Sequence, residues 1–247
     1  ARMNLAAAFI SMGAYGRGAE LCEEAVKACR LLGIVAVEAG LSFYQAEAWR
    51  LRGEHGRARD GYEAVIRMMR EGSPDHVADI VAAAHIGLGE LAYAGGDYAG
   101  AEVYAEEGLR LSRLVGHVDG EALAICVLGD VAAAQGRHAA AAVYYRESLQ
   151  QCLHFEIRVT AARCLEGLAD VTLEQGQGRP ALRLLGAADA LRAACGAPVP
   201  PYLATRGDHT VTVLTALYGD ADLAAAREAG AVPALEELLA ESRALRV

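Results

Sequence analysis

Six cysteines and seven histidines are the groups in this 247-residue chain best suited to bind a metal or to act as nucleophile and base. The thiols stand at positions 22, 29, 126, 152, 164 and 195, and no two form a C-x-x-C pair. Most lie in apolar, helix-patterned stretches, which reads as reduced core cysteines of a cytosolic protein rather than as a disulfide framework. The histidines, at 55, 76, 85, 117, 138, 154 and 209, are scattered. None has a second ligand three or four residues away in a convincing zinc geometry. The H-E-x-x-H, G-x-S-x-G and Walker lysine motifs are absent. Gly87-Leu88-Gly89 and Gly176-Gln177-Gly178 are glycine-rich, but both fit a structural repeat better than a phosphate loop. These residues predict no catalytic site, no metal site and no cofactor, so a non-enzymatic role is expected.

The elements that would position any site repeat along the chain. A glycine followed by a polar or small residue recurs at Gly13, Gly53, Gly96, Gly136 and Gly176, at spacings of 40, 43, 40 and 40 residues. Eight residues before it stand Leu5, Gln45, Leu88, Leu128 and Leu168, each followed by a small residue: Ala6, Ala46, Gly89, Gly129 and Ala169. Five residues after it come Gly18, Ala58, Ala101, Ala141 and Ala181; four further on come Cys22, Tyr62, Ala105, Tyr145 and Leu185. A helix that ends in a left-handed glycine and restarts after a short turn must lie antiparallel to its successor. Small residues allow the close crossing, and the bulky positions fill the space between pairs. One pair cannot bury its apolar face alone, so the pairs must stack.

Composition agrees. Ala, Leu, Glu and Arg dominate, all strong helix formers, and runs dense in β-branched and aromatic residues are nearly absent. The formal net charge is -9 and the sequence pI about 5.3, which argues against a nucleic-acid or anionic-membrane contact by this segment. No run of about 18 apolar residues predicts a membrane span. No signal peptide is visible, and the chain opens at Ala1 in a helical pattern without an initiator Met. A fragment of a longer protein is therefore expected.

The repeat resembles the tetratricopeptide repeat over about residues 1–196. The resemblance implies an all-α, right-handed superhelix (solenoid) of about five antiparallel helix pairs, followed by C-terminal capping helices over 197–247. The usual period is 34 residues. A 40-residue period adds about three residues, or ~4.5 Å, to each helix. It looks like the longer repeats of bacterial signal-transduction ATPase regulators. The family's Trp and closing Pro are missing at their usual places. Ser73-Pro74-Asp75 reads as a helix start, Gly33, Gly72 and Gly116 fall between pairs, and Ala197-Pro-Val-Pro-Pro201 closes the fifth pair. Beyond it the pattern predicts helices from about 202 to 217, from Asp220 to Ala229 and from Pro233 to about Ala244, punctuated by Gly219 and Gly230.

In tetratricopeptide proteins the first helix of each pair makes the inner wall. The resemblance therefore places Ala7, Glu47, Glu90, Asp130 and Asp170 at equivalent inner positions, four of the five acidic. Phe43, Arg50, Ile86, Tyr93, Leu123, Cys126, Arg163, Glu166 and Leu173 are their neighbours. Two readings stay open. The carboxylates form an acidic ladder for a basic or amphipathic peptide, a protein or a small inducer, with Phe43, Glu47, Arg50, Glu90, Tyr93, Asp130, Arg163 and Asp170 as the binding set. Otherwise they pair with Arg50 or Arg163, or are solvated. Trp49 reads as core, Tyr104, Tyr144 and Tyr145 as packing between pairs, and the charged stretches Arg17–Glu24 and Glu236–Arg246 as solvated helix faces.

The segment from Pro180 to Pro201, with Leu217-Tyr-Gly and Leu235-Glu-Glu-Leu-Leu239 after it, resembles the end of the repeat region in large actinobacterial regulators. Those combine an ATPase, tetratricopeptide repeats and often a LuxR-type DNA-binding motif. This implies a cytoplasmic sensor of a multidomain transcription regulator. A stand-alone scaffold that assembles proteins or self-associates into a homo-oligomer is the alternative.

Overall fold

A computed structural model of the chain describes residues 2–71, 78–199 and 201–229. Among them are eleven helices and no strand: α1 (Arg2–Ser11), α2 (Tyr15–Leu32), α3 (Val35–Leu51), α4 (His55–Glu71), α5 (Ala78–Ala94), α6 (Tyr98–Val115), α7 (Val118–Ala134), α8 (His138–Phe155), α9 (Arg158–Glu174), α10 (Gly178–Cys195) and α11 (Pro201–Ala229). This is the all-α helical-repeat fold that the glycine spacing predicts. Full first and second helices run 17 or 18 residues, about 26 Å at 1.5 Å per residue, the length a 40-residue period requires. Ser73-Pro74-Asp75, Gly72, Gly230, the helix expected from Pro233 and the Glu236–Arg246 stretch lie outside the described residues.

All five turn glycines adopt the left-handed conformation, with φ between 73° and 79°. Each closes its helix with the same pair of bonds. At the second turn, Gly53 N donates to Arg50 O (3.0 Å) and Glu54 N to Trp49 O (2.9 Å); at the fourth, Gly136 N donates to Ala133 O (2.9 Å) and Arg137 N to Ala132 O (2.8 Å). These bonds satisfy carbonyls that the helix end leaves open. A second left-handed set ends the second helices: Gly33, Gly116, Gly196 and, without a glycine, Glu156 at φ 59°.

The chain forms two compact units, Ala1–Glu121 and Ala122–Val247. In the first, each of α1 to α5 packs on its successor, and alternate helices also touch, α1 with α3 and α3 with α5. First helices are thus neighbours of one another. Ala46, Ala58, Tyr62, Val65, Ala84, Leu88 and Leu91 make one core there, and Ala6, Cys22, Ala25, Val26, Cys29 and Leu41 another. In the second unit α8 packs on α9, α9 on α10 and α10 on α11, around a core centred on Tyr145, Leu149, Leu165, Leu168 and Leu185. The C-terminal helix α11 breaks at Gly219 (φ 84°, ψ 165°), as the punctuation predicts.

Five of the six cysteines are buried, Cys195 is half-buried, and all six are free. Tyr145 is fully buried, while Tyr104 and Tyr144 pack partly buried against the cores of their units. Leu5 departs from its repeat position: it is 49% exposed where Leu88, Leu128 and Leu168 are buried.

Candidate functional site

In the first unit the acidic positions meet a shared arginine. The side chain of Arg50, on α3, reaches Glu47 one turn back (Nη2 to Oε2, 2.7 Å) and Glu90 on α5 (Nη1 to Oε2, 3.2 Å). Its Nε donates to the hydroxyl of Tyr62 on α4 at 3.2 Å, and that hydroxyl donates to Glu47. Arg50 and Glu90 are buried, whereas the Glu47 side chain keeps 18% of its surface. One guanidinium and one phenol thus satisfy two carboxylates from consecutive first helices. Burial, and then the Glu47 carboxylate, holds the Tyr62 phenol well above its ordinary pKa, so it remains a donor.

The second unit builds the same joint from another register. Asp130, on α7, has no exposed surface; it accepts from Tyr145 of α8 (2.7 Å) and pairs with Arg163 of α9 (Nη2 to Oδ2, 2.6 Å). Arg50 stands three residues before its turn glycine and Arg163 thirteen before its own. The arginine comes from a different helical turn, but the tyrosine stands nine residues after the glycine in both. Asp170 is half-buried and accepts from Thr210 Oγ1 of α11 at 2.5 Å. Glu166 pairs with Arg192 of α10 (Nη2 to Oε2, 2.8 Å).

Glycines make room for these phenols. A Cβ at Gly87 of α5 would lie 2.5 Å from Tyr62 Cζ, and one at Gly167 of α9 would lie closer still to Tyr145. Gly89, the other half of the glycine-rich pair, lets α5 approach α6: a Cβ there would lie 3.3 Å from Ala101 O. The sequence flags Gly87-Leu88-Gly89 correctly as structural.

Of the eight residues predicted to bind a ligand, Glu90 and Asp130 are sealed, paired carboxylates and not open rungs of a ladder. Pairing with Arg50 and Arg163, the alternative left open by the sequence, is the arrangement found. Phe43, Glu47, Tyr93 and Asp170 keep partial exposure. The Phe43 ring lies 5.9 Å from that of Tyr62, and Tyr93 lies 5.9 Å from Tyr98.

Sequence reasoning missed a cleft of about 550 Å³ in the first unit. Glu38, Ser42, Gln45 and Trp49 line it from one face of α3, and Arg57, Asp60, Gly61, Ala64, Arg67 and Met68 from α4, with Arg30 of α2 at the rim. Both sets recur at helical spacing, so each is a single stripe. Trp49, predicted to be core, is only half-buried; the Arg57 guanidinium lies 4.4 Å from its ring centroid. Gly61 lets α4 close on α3, since a Cβ there would fall 2.9 Å from Ala46 Cβ and 3.4 Å from the indole. The signal available in the sequence was Gln45, an amide at the position where the other four repeats carry leucine.

No family model matches the chain, and no curated protein matches it. Among solved structures the chain is similar to the one described as "Crystal structure of BtubC (BKLC) from P. vanneervenii", with a TM-score of 0.60 and 16% sequence identity over 96% of this chain and 92% of that one. At this identity the likeness is one of fold.

Proposed function

We propose that the chain is the non-catalytic binding region of a multidomain, LuxR-type transcription regulator. In this reading its helix pairs are tetratricopeptide-type repeats that receive a protein, a peptide or a small inducer in the cytoplasm. The observation that carries the reading is the Arg50 joint. It holds a partly exposed carboxylate, Glu47, between Phe43 and Arg50 on α3, and it ties α3 to α5 through Glu90. A cationic group that takes Glu47 competes with Arg50 and Tyr62 for the same oxygens. Binding therefore changes the tie between consecutive first helices, the differential contact by which a ligand shifts a conformational equilibrium. The resemblance of residues 180–239 to the end of the repeat region in ATPase-linked regulators supplies the context, and the net charge of -9 favours a basic partner.

The test is calorimetric titration of the chain with a 14-residue amphipathic Lys/Leu peptide. The expected result is saturable binding that Glu47→Gln weakens by about fivefold, one charge-assisted contact. Equal affinity of wild type and variant removes Glu47 from the function.

One observation favours the scaffold reading. Leu31, Leu32, Ile34, Val35 and Val37 are 43–88% exposed within seven residues at the turn from α2 to α3. Self-association through this patch predicts a dimer in sedimentation at micromolar concentration, lost in Leu31→Ser/Leu32→Ser.

A further inference from the structure

Two polar side chains of α3 line the floor of the cleft. Gln45 is 9% exposed and Ser42 8%, both line the cleft, and among the described residues neither side chain makes a hydrogen bond. A leucine stands at the Gln45 position in the other four repeats, so an amide there exchanges an apolar side chain for donors and acceptors on the cleft lining.

The charges around this floor resolve into two ends. Arg30 is taken by Glu38 at 2.7 Å, and Arg57 by Glu54 at 2.7 Å. Asp60 and Arg67 remain; both are exposed, and neither has an ion-pair partner among the described residues. They lie seven residues apart on the same stripe of α4, about 10 Å along the helix. Asp60 stands toward the Trp49–Arg57 end, and Arg67 toward Arg30 and Glu38. The cleft thus presents, in a row, an anion beside an aromatic wall, an amide-and-hydroxyl floor and a cation.

We propose that this cleft is a docking site for an extended segment of a partner protein that carries a basic and an acidic side chain three positions apart. A segment in the polyproline-II form advances about 3.1 Å per residue with three residues per turn, so side chains at i and i+3 lie on one face, about 9 Å apart, and its backbone amides are free to bond. The basic group pairs with Asp60 beside Trp49 and the acidic group with Arg67. The intervening peptide amides bond to Gln45 and Ser42. This site lies on the second-helix side of α3 and is independent of the Glu47 face.

Trp49 is the single tryptophan of the chain, so its emission reports the cleft directly. The full chain is titrated with acetyl-Lys-Alan-Glu-amide peptides in which the number of alanines runs from none to four. Blocked termini confine the test to an internal segment. The expected result is a saturable Trp49 change, tightest with two alanines, that Asp60→Asn or Arg67→Gln each weakens by about tenfold. Gln45→Leu weakens it too, and its melting temperature, unchanged or raised, shows that the fold is kept. Affinity independent of spacing, equal binding by acetyl-Lys-Ala-Ala-Lys-amide, equal binding by the Asp60→Asn/Arg67→Gln variant, or no saturable change with any peptide overturns the proposal. None of these outcomes bears on Glu47 and the Lys/Leu peptide.

Discussion

Asp130 is a carboxylate with no exposed surface, and it is tolerated there because Arg163 and Tyr145 both reach it. Such a pair adds little net stability over an apolar substitute, but taking away one partner strands a buried charge. Arg163→Met is therefore expected to cost about 3–5 kcal/mol in denaturant unfolding. Asp130→Leu/Arg163→Met, which removes both charges, is expected to cost less than the single change. Tyr62 makes the corresponding joint in the first unit pH-sensitive. Its folded pKa is raised, so above the unfolded value of about 10 the unfolded chain has lost a proton that the folded chain still holds. The stability from this group is complete below pH 10 and falls as pH rises, by about 1.4 kcal/mol per unit until the folded phenol titrates. Tyr62→Phe is expected to flatten the alkaline fall by that amount in equilibrium unfolding followed from pH 9 to 11.

Helix ends and crossings carry the next layer. Glu156 occupies a left-handed position that Gly33, Gly116 and Gly196 fill in the other repeats. A side chain pays about 1 kcal/mol there, so Glu156→Gly is expected to raise stability by about that much in thermal unfolding. The opposite holds at Gly167, where α9 crosses the Tyr145 ring. Gly167→Ala is expected to cost about 1–3 kcal/mol by overpacking, with most of the loss recovered in a Tyr145→Leu background. The five turn glycines were legible in the sequence because a left-handed turn leaves few alternatives to glycine. The Glu156 turn was hidden because another residue accepts the strain. The acidic positions were legible as a register, since spacing fixes the face of a helix on which a residue lies. Their burial was not, because it depends on what lies opposite, and Arg163 arrives from a different turn of the helix than Arg50. Gln45 stood out among leucines, but its meaning required α4 to bring Asp60, Gly61 and Arg67 across from it.

Among the described residues, the charged groups expected along the inner wall mostly tie helix to helix. Glu90, Asp130, Arg50 and Arg163 are buried joints, and Tyr62 and Tyr145 complete them. The same polar chemistry that fixes each unit leaves a few members at the surface. Glu47 links a partly exposed carboxylate to the tie between consecutive first helices, and the proposed role in binding rests on it. Hydrogen exchange on the full chain, with and without saturating Lys/Leu peptide, tests that claim most directly. The prediction is altered exchange in α3 (Val35–Leu51) and α5 (Ala78–Ala94) on binding, abolished by Glu47→Gln. Exchange unchanged in both helices, or altered equally in the variant, contradicts it.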